Sequence, residues 1–130
     1  MKTIRQTYSI HAPSSLVWKA LVDREMIEKW GGGAAKMDDE RGTKFSLWDG
    51  EIWGVNKEVI KEKKLIQEWH DDKDEDNMIV TFTLVNEGDK TIVTLLHENV
   101  PDKKYKSLSQ GWKDYYLGPL QTFLEHSPGP

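Results

Sequence analysis

Between Thr43 and His97 the chain alternates apolar and polar residues through one segment after another, each closed by a turn signal, and this stretch restricts the fold more than any other feature. Thr43 to Trp48 runs into Asp49-Gly50, a strong hairpin signal. Ile52 to Ile60 follows, then a lysine-rich turn, then Leu65 to Trp69. Met78, Val80, Phe82 and Leu84 alternate with Ile79, Thr81, Thr83 and Val85, and Glu87-Gly88-Asp89-Lys90 turns the chain into Thr91 to His97. The charged and polar run from Asp71 to Asn77 suits an exposed loop. The pattern predicts an antiparallel meander.

On either side of the meander the periods differ. Ile4, Tyr8 and Ile10 share one parity, with Gln6 among them, which predicts a half-buried first strand ended by Ala12-Pro13. Leu16, Val17, Ala20 and Leu21 recur at helical spacing, and Asp23 can cap a second short helix whose Met26, Ile27 and Trp30 share a face. Gly31-Gly32-Gly33 is expected to stop that helix and to act as a hinge. From Tyr105 the apolar stripe is Leu108, Trp112, Tyr115 or Tyr116, Leu120, Phe123 and Leu124, with Gly118-Pro119 expected to bend the axis. A sheet of about six strands with one apolar face needs a partner layer, and only this last helix is long enough to supply it. The expected fold is therefore α+β of the helix-grip kind, one domain over residues 1–126, with a tail at 127–130 that frays.

Composition narrows the function classes. The net charge of −4 gives no general attraction for phosphate backbones, so no nucleic-acid partner is expected. No apolar stretch approaches bilayer-spanning length, and Met1 to Ile10 alternates where a secretion signal would show a basic start and an apolar block. A cytoplasmic protein without a membrane partner is the expectation. With no cysteine, neither disulfides nor thiolate metal sites arise. His11, His70, His97 and His126 lack metal-ligand spacing, and Asp71, Asp72, Asp74, Glu75 and Asp76 lack the order and glycine of a calcium loop. Neither a metal nor a cofactor is implied.

Parity places His97 with Val93 and Leu95 on the concave face, and Gln67 with Leu65 and Trp69. Glu58 is a third polar candidate for that face. The predicted cavity takes Trp69, Gln67, Phe82, Val93, Leu95 and His97 from the sheet, and Trp112, Tyr115 and Tyr116 from the helix. A lone inward histidine is more often a hydrogen-bonded core residue than a catalyst, and the six tryptophans serve equally as core. No catalytic residue is assigned. Lys57, Lys61, Lys63 and Lys64 form one basic cluster; Lys103, Lys104 and Lys106 form another, the candidate for a partner contact.

Ile10-His11-Ala12-Pro13, Val17-Trp18-Lys19-Ala20-Leu21, Glu25, Trp30, Gly42-Thr43-Lys44-Phe45, Asp49-Gly50 and Gly54 together resemble the START-like superfamily that includes the birch-pollen allergen fold. Trp69, the strand Ile79 to Leu84, His97 to Pro101, and Gly111-Trp112-Lys113-Asp114-Tyr115-Tyr116 with Pro119-Leu120 and Phe123 resemble the C-terminal domain of the activator of the heat-shock protein 90 ATPase. The resemblance covers nearly the whole chain and leaves out the separate N-terminal domain of the eukaryotic activator. It implies a non-enzymatic interaction protein acting on a heat-shock protein 90 type chaperone, with weak stimulation at most. The superfamily also implies two alternatives, a binding module for a small apolar ligand and a cyclase or hydrolase.

Overall fold

A computed structural model describes residues 1–71 and 74–126, the side chains of 74–76 excepted. The expected tail at 127–130 and most of the acidic run at 72–76 lie outside that description. Six strands, β1 (Lys2–Ile10), β2 (Lys44–Leu47), β3 (Ile52–Ile60), β4 (Lys64–Asp71), β5 (Asp74–Glu87) and β6 (Lys90–Val100), form one antiparallel sheet in the order β1-β6-β5-β4-β3-β2. β1 returns beside β6 with Gln6 opposite Leu95 and Tyr8 opposite Val93, so the meander is extended by the first strand of the chain. Strands 4 and 5 run further than their apolar pattern: β4 reaches Asp71 and β5 starts at Asp74, where an exposed loop was expected from 71 to 77. Polar side chains hide a strand from a reading that relies on apolar alternation.

Two short helices, α1 (Ser14–Val22) and α2 (Arg24–Trp30), follow β1. Pro13 occupies the cap position before α1. The Asp23 carboxylate accepts from the Met26 backbone N–H at 3.1 Å, filling one donor at the start of α2, and Gly31 ends that helix in the left-handed conformation. α1 buries Val17, Trp18, Ala20, Leu21 and Val22, and α2 buries Ile27 and Trp30.

The last helical rod comprises α3 (Tyr105–Gly111), a π-helical turn (Trp112–Tyr116) and α4 (Leu117–His126). The expected interruption is thus a π turn just upstream of Gly118-Pro119. Pro119 has no N–H to return to the carbonyl four residues earlier, and the ladder widens before it: the Leu117 N–H bonds to the Trp112 carbonyl. Gly118 makes the widening sterically feasible, because a Cβ there would lie 1.8 Å from the Lys113 carbonyl oxygen. The rod crosses the concave face, where Leu65, Val80, Phe82, Val93 and Leu95 are fully buried and Leu117 and Leu120 meet them from the helix side. Among the described residues no helix is long and apolar enough to cross a membrane.

Candidate functional site

The site lies where the rod passes over β3 and β4. Trp69 is carried inward by the parity of β4, and Trp112 opens the π turn; their rings stack with centroids 4.9 Å apart. Tyr116 packs on both, at 4.7 Å from Trp112 and 6.1 Å from Trp69. Trp48 completes the wall from the β2–β3 turn, with its ring edge-on to Tyr116 at 6.0 Å. Between these rings and α3 is an open cavity of about 370 Å³. Ile52 and Leu108 add apolar surface to it, while Glu51, Ser107 and Gly111 stand in its lining.

Trp48 is held there by backbone geometry. Trp48 and Asp49 both adopt positive φ (50° and 54°), a conformation that costs a bulky residue energy and needs fixing from outside. The Gly31–Ala34 segment does the fixing: the Trp48 N–H donates to the Gly32 carbonyl at 2.8 Å, the Asp49 N–H to Ala34 at 2.9 Å, and the Trp48 indole N–H to Gly31 at 2.9 Å. A Cβ on Gly33 would lie 2.8 Å from the Trp48 Cα. The glycine triplet therefore stops α2 as expected, but it is a pinned contact surface rather than a hinge.

Behind the cavity two buried polar arrangements hold the indoles. The Trp69 N–H donates to the Gln67 side-chain oxygen at 2.9 Å, and Gln67 donates to the Asn56 side-chain oxygen at 2.9 Å. Asn56 donates to the Asp38 carbonyl at 3.1 Å, at the surface. The Trp112 N–H donates to Nδ1 of His97 at 3.0 Å. That bond requires the unprotonated Nδ1 and so the neutral Nε2–H tautomer. Burial holds the His97 pKa down at about 4, because the imidazolium would lose its hydration. His97 Nε2 and the Tyr116 hydroxyl, both buried, have no hydrogen-bond partner among the described residues, and burial pushes the Tyr116 phenol up.

Of the residues expected around the cavity, Trp69, Trp112, Tyr115 and Tyr116 line it. Tyr115, expected to face the sheet, is 67% exposed and sits at the rim, whereas Tyr116 is buried. Gln67, Phe82, Val93, Leu95 and His97 pack behind the lining as core. Glu58 is exposed; a β-bulge between Asn56 and Glu58 shifts the register, and Asn56 takes the inward position instead. Trp48, the contribution that strand parity could not find, was signalled only by its place beside Asp49-Gly50. Lys103, two residues before the rod, and Lys106, in its first turn, are exposed. Lys104 is half-buried, with Nζ 3.0 Å from the Asp71 carboxylate, which ties the rod to β4. No group of residues suited to hold a metal ion occurs among the described residues.

A curved antiparallel sheet closed on a C-terminal rod, with a cavity between them, defines the START-like helix-grip class. Within it the chain belongs to the family described as "Activator of Hsp90 ATPase homolog 1-like protein", whose family model matches residues 11–125. The human "Activator of 90 kDa heat shock protein ATPase homolog 1" is 24% identical over 124 residues, covering 93% of this chain and 36% of the human protein. The chain therefore spans about a third of the length of the curated relative it matches. The crystal structure of an HSP90 activator from Plasmodium falciparum superposes with a TM-score of 0.86 at 24% identity, covering 95% of this chain and 96% of that one, a likeness of fold. CalU16 from Micromonospora echinospora superposes with a TM-score of 0.80 at 28% identity, covering 98% of this chain and 76% of that one.

Proposed function

We propose that this domain works by binding, as a co-chaperone-like module that engages a heat-shock protein 90 type chaperone in the cytoplasm. The family match over 11–125 carries the reading. The exposed Lys103 and Lys106, which flank the first residue of the rod, supply a contact of the kind that steers association and weakens with salt. The cyclase or hydrolase alternative has less support, since the buried His97 bonds to an indole and stands behind the cavity rather than in it. The test is ATP turnover by the chaperone of the same organism, at low and moderate salt, with this protein and with a Lys103→Glu/Lys106→Glu variant. Weak, salt-sensitive stimulation that the variant lowers without loss of fold is expected. The absence of both binding and any change in turnover at saturating protein would sink the reading.

The aromatic cavity of about 370 Å³ favours a second reading, a binding module for a small apolar ligand. Native mass spectrometry of the protein from its own cells should show a bound small molecule. An apolar fluorescent probe should perturb tryptophan emission with a stoichiometry near one, and titration without saturation would leave only a packed core.

A further inference from the structure

We infer that the cavity between the β2–β3 turn and α3 takes a ligand whose apolar body carries a positive charge, an amine or quaternary ammonium, seated toward Glu51. The inference rests on the reading of this cavity as a ligand site. Five aromatic residues line it, Trp48, Trp69, Trp112, Tyr115 and Tyr116, and ring faces attract cations through their quadrupole.

Apart from Tyr115 at the rim, the polar ends of those rings are turned away from any occupant. The Trp48 N–H is spent on the Gly31 carbonyl, the Trp69 N–H on Gln67 and the Trp112 N–H on His97, and the Tyr116 hydroxyl is sealed from solvent. All three indole donors that could have held a carboxylate or carbonyl are thus committed to the protein. What the indoles offer a ligand is π surface.

Formal charge points the same way. Among the described residues Glu51 is the single charged residue in the lining, and it makes no ion pair there. Among the described residues no lysine or arginine lines the cavity; Lys104 is held by Asp71, and Lys29 and Lys113 border a different groove between α2 and α4. An anionic amphiphile would meet the Glu51 carboxylate, with the Ser107 hydroxyl and the rim hydroxyl of Tyr115 as its side-chain donors. A neutral one would fill the space and gain nothing from Glu51. A cation gains from both the rings and the carboxylate.

The experiment titrates the protein, at low salt and by tryptophan fluorescence, with three ligands of one shape: a phenylalkyl trimethylammonium, its neutral tert-butyl isostere and a phenylalkyl carboxylate. The cation is expected to bind about tenfold more tightly than the neutral isostere, with the carboxylate weakest. Glu51→Gln should cut the cation's advantage to about threefold or less and leave the neutral isostere's affinity unchanged. Equal affinity for cation and neutral isostere overturns the inference while the apolar-ligand reading survives. An advantage undiminished in Glu51→Gln overturns it as well, and saturable binding of none of the three removes both.

Discussion

Trp69 and Trp112 stack on one another, are equally buried, and line the same cavity, yet their N–H groups lead to different ends. From Trp69 the donors run through Gln67 and Asn56 to the backbone of the 38–43 loop, so each buried polar group in that series is satisfied and none of them titrates. From Trp112 the path is one step long and stops at His97, whose other nitrogen has no partner among the described residues. The same indole donor is anchored by a neutral amide relay on one side and by a buried base on the other. Packing alike, the two halves of the site should answer differently to acid.

The comparison can be broken most forcefully by emptying its centre. Trp112→Ala removes a ring in contact with Trp69, Phe82 and Tyr116 and should cost about 3–5 kcal/mol. A denaturation midpoint that does not move would show that Trp112 is not part of the core. Acid comes next. The His97 pKa is lower folded, about 4, than unfolded, near the ordinary 6.5, so protons bind preferentially to the unfolded chain. Its contribution is fully present above pH 6.5 and is lost as pH falls toward 4, by up to about 3 kcal/mol. His97→Asn, which keeps an acceptor for Trp112, should flatten that part of the stability profile; an unchanged profile would assign the acid sensitivity elsewhere.

A smaller effect is expected on the other side. Gln67→Leu leaves the Trp69 N–H and the Asn56 oxygen without their partner and should cost about 1–3 kcal/mol, by the same amount at pH 7 as at pH 5. A cost that varied between those two pH values would mean that the amide relay is coupled to His97. The least change should come from Trp112→Phe, judged by its acid profile alone. Burial rather than the indole bond keeps His97 neutral, so the loss between pH 6.5 and 4 should stay within about 1 kcal/mol of that in the original protein. Disappearance of the loss would give the hydrogen bond the larger part.

Strand parity was enough to place Gln67, Trp69 and His97 inside, because a period of two survives wherever pairing is regular. It failed at Glu58, where the bulge puts Asn56 inward and cancels the count from that point. It was also blind to the ends of β4 and β5, whose residues are polar on both faces. On the rod, helical spacing left Tyr115 and Tyr116 undecided, since a π turn advances each residue by a smaller angle than the α-helix assumed in the count. Trp48 depends on two successive residues at positive φ and on backbone bonds to a glycine segment remote in sequence, neither of which a local pattern records.

The π turn also separates two registers within one rod. Five residues, Trp112–Tyr116, complete what an α-helix would complete with about one fewer, so the turn behaves as a single-residue insertion and rotates the upstream face relative to the downstream one by about 100°. Leu108 upstream and Trp112 at the first position of the turn line the cavity; downstream, Leu117 and Leu120 are buried in the core, where α4 packs on α1, α2 and β1. An unbroken α-helix would have to compromise between these two aims. With the phase break in place, substitutions upstream can reshape what the cavity admits while the downstream half keeps its own angular alignment with the body of the domain.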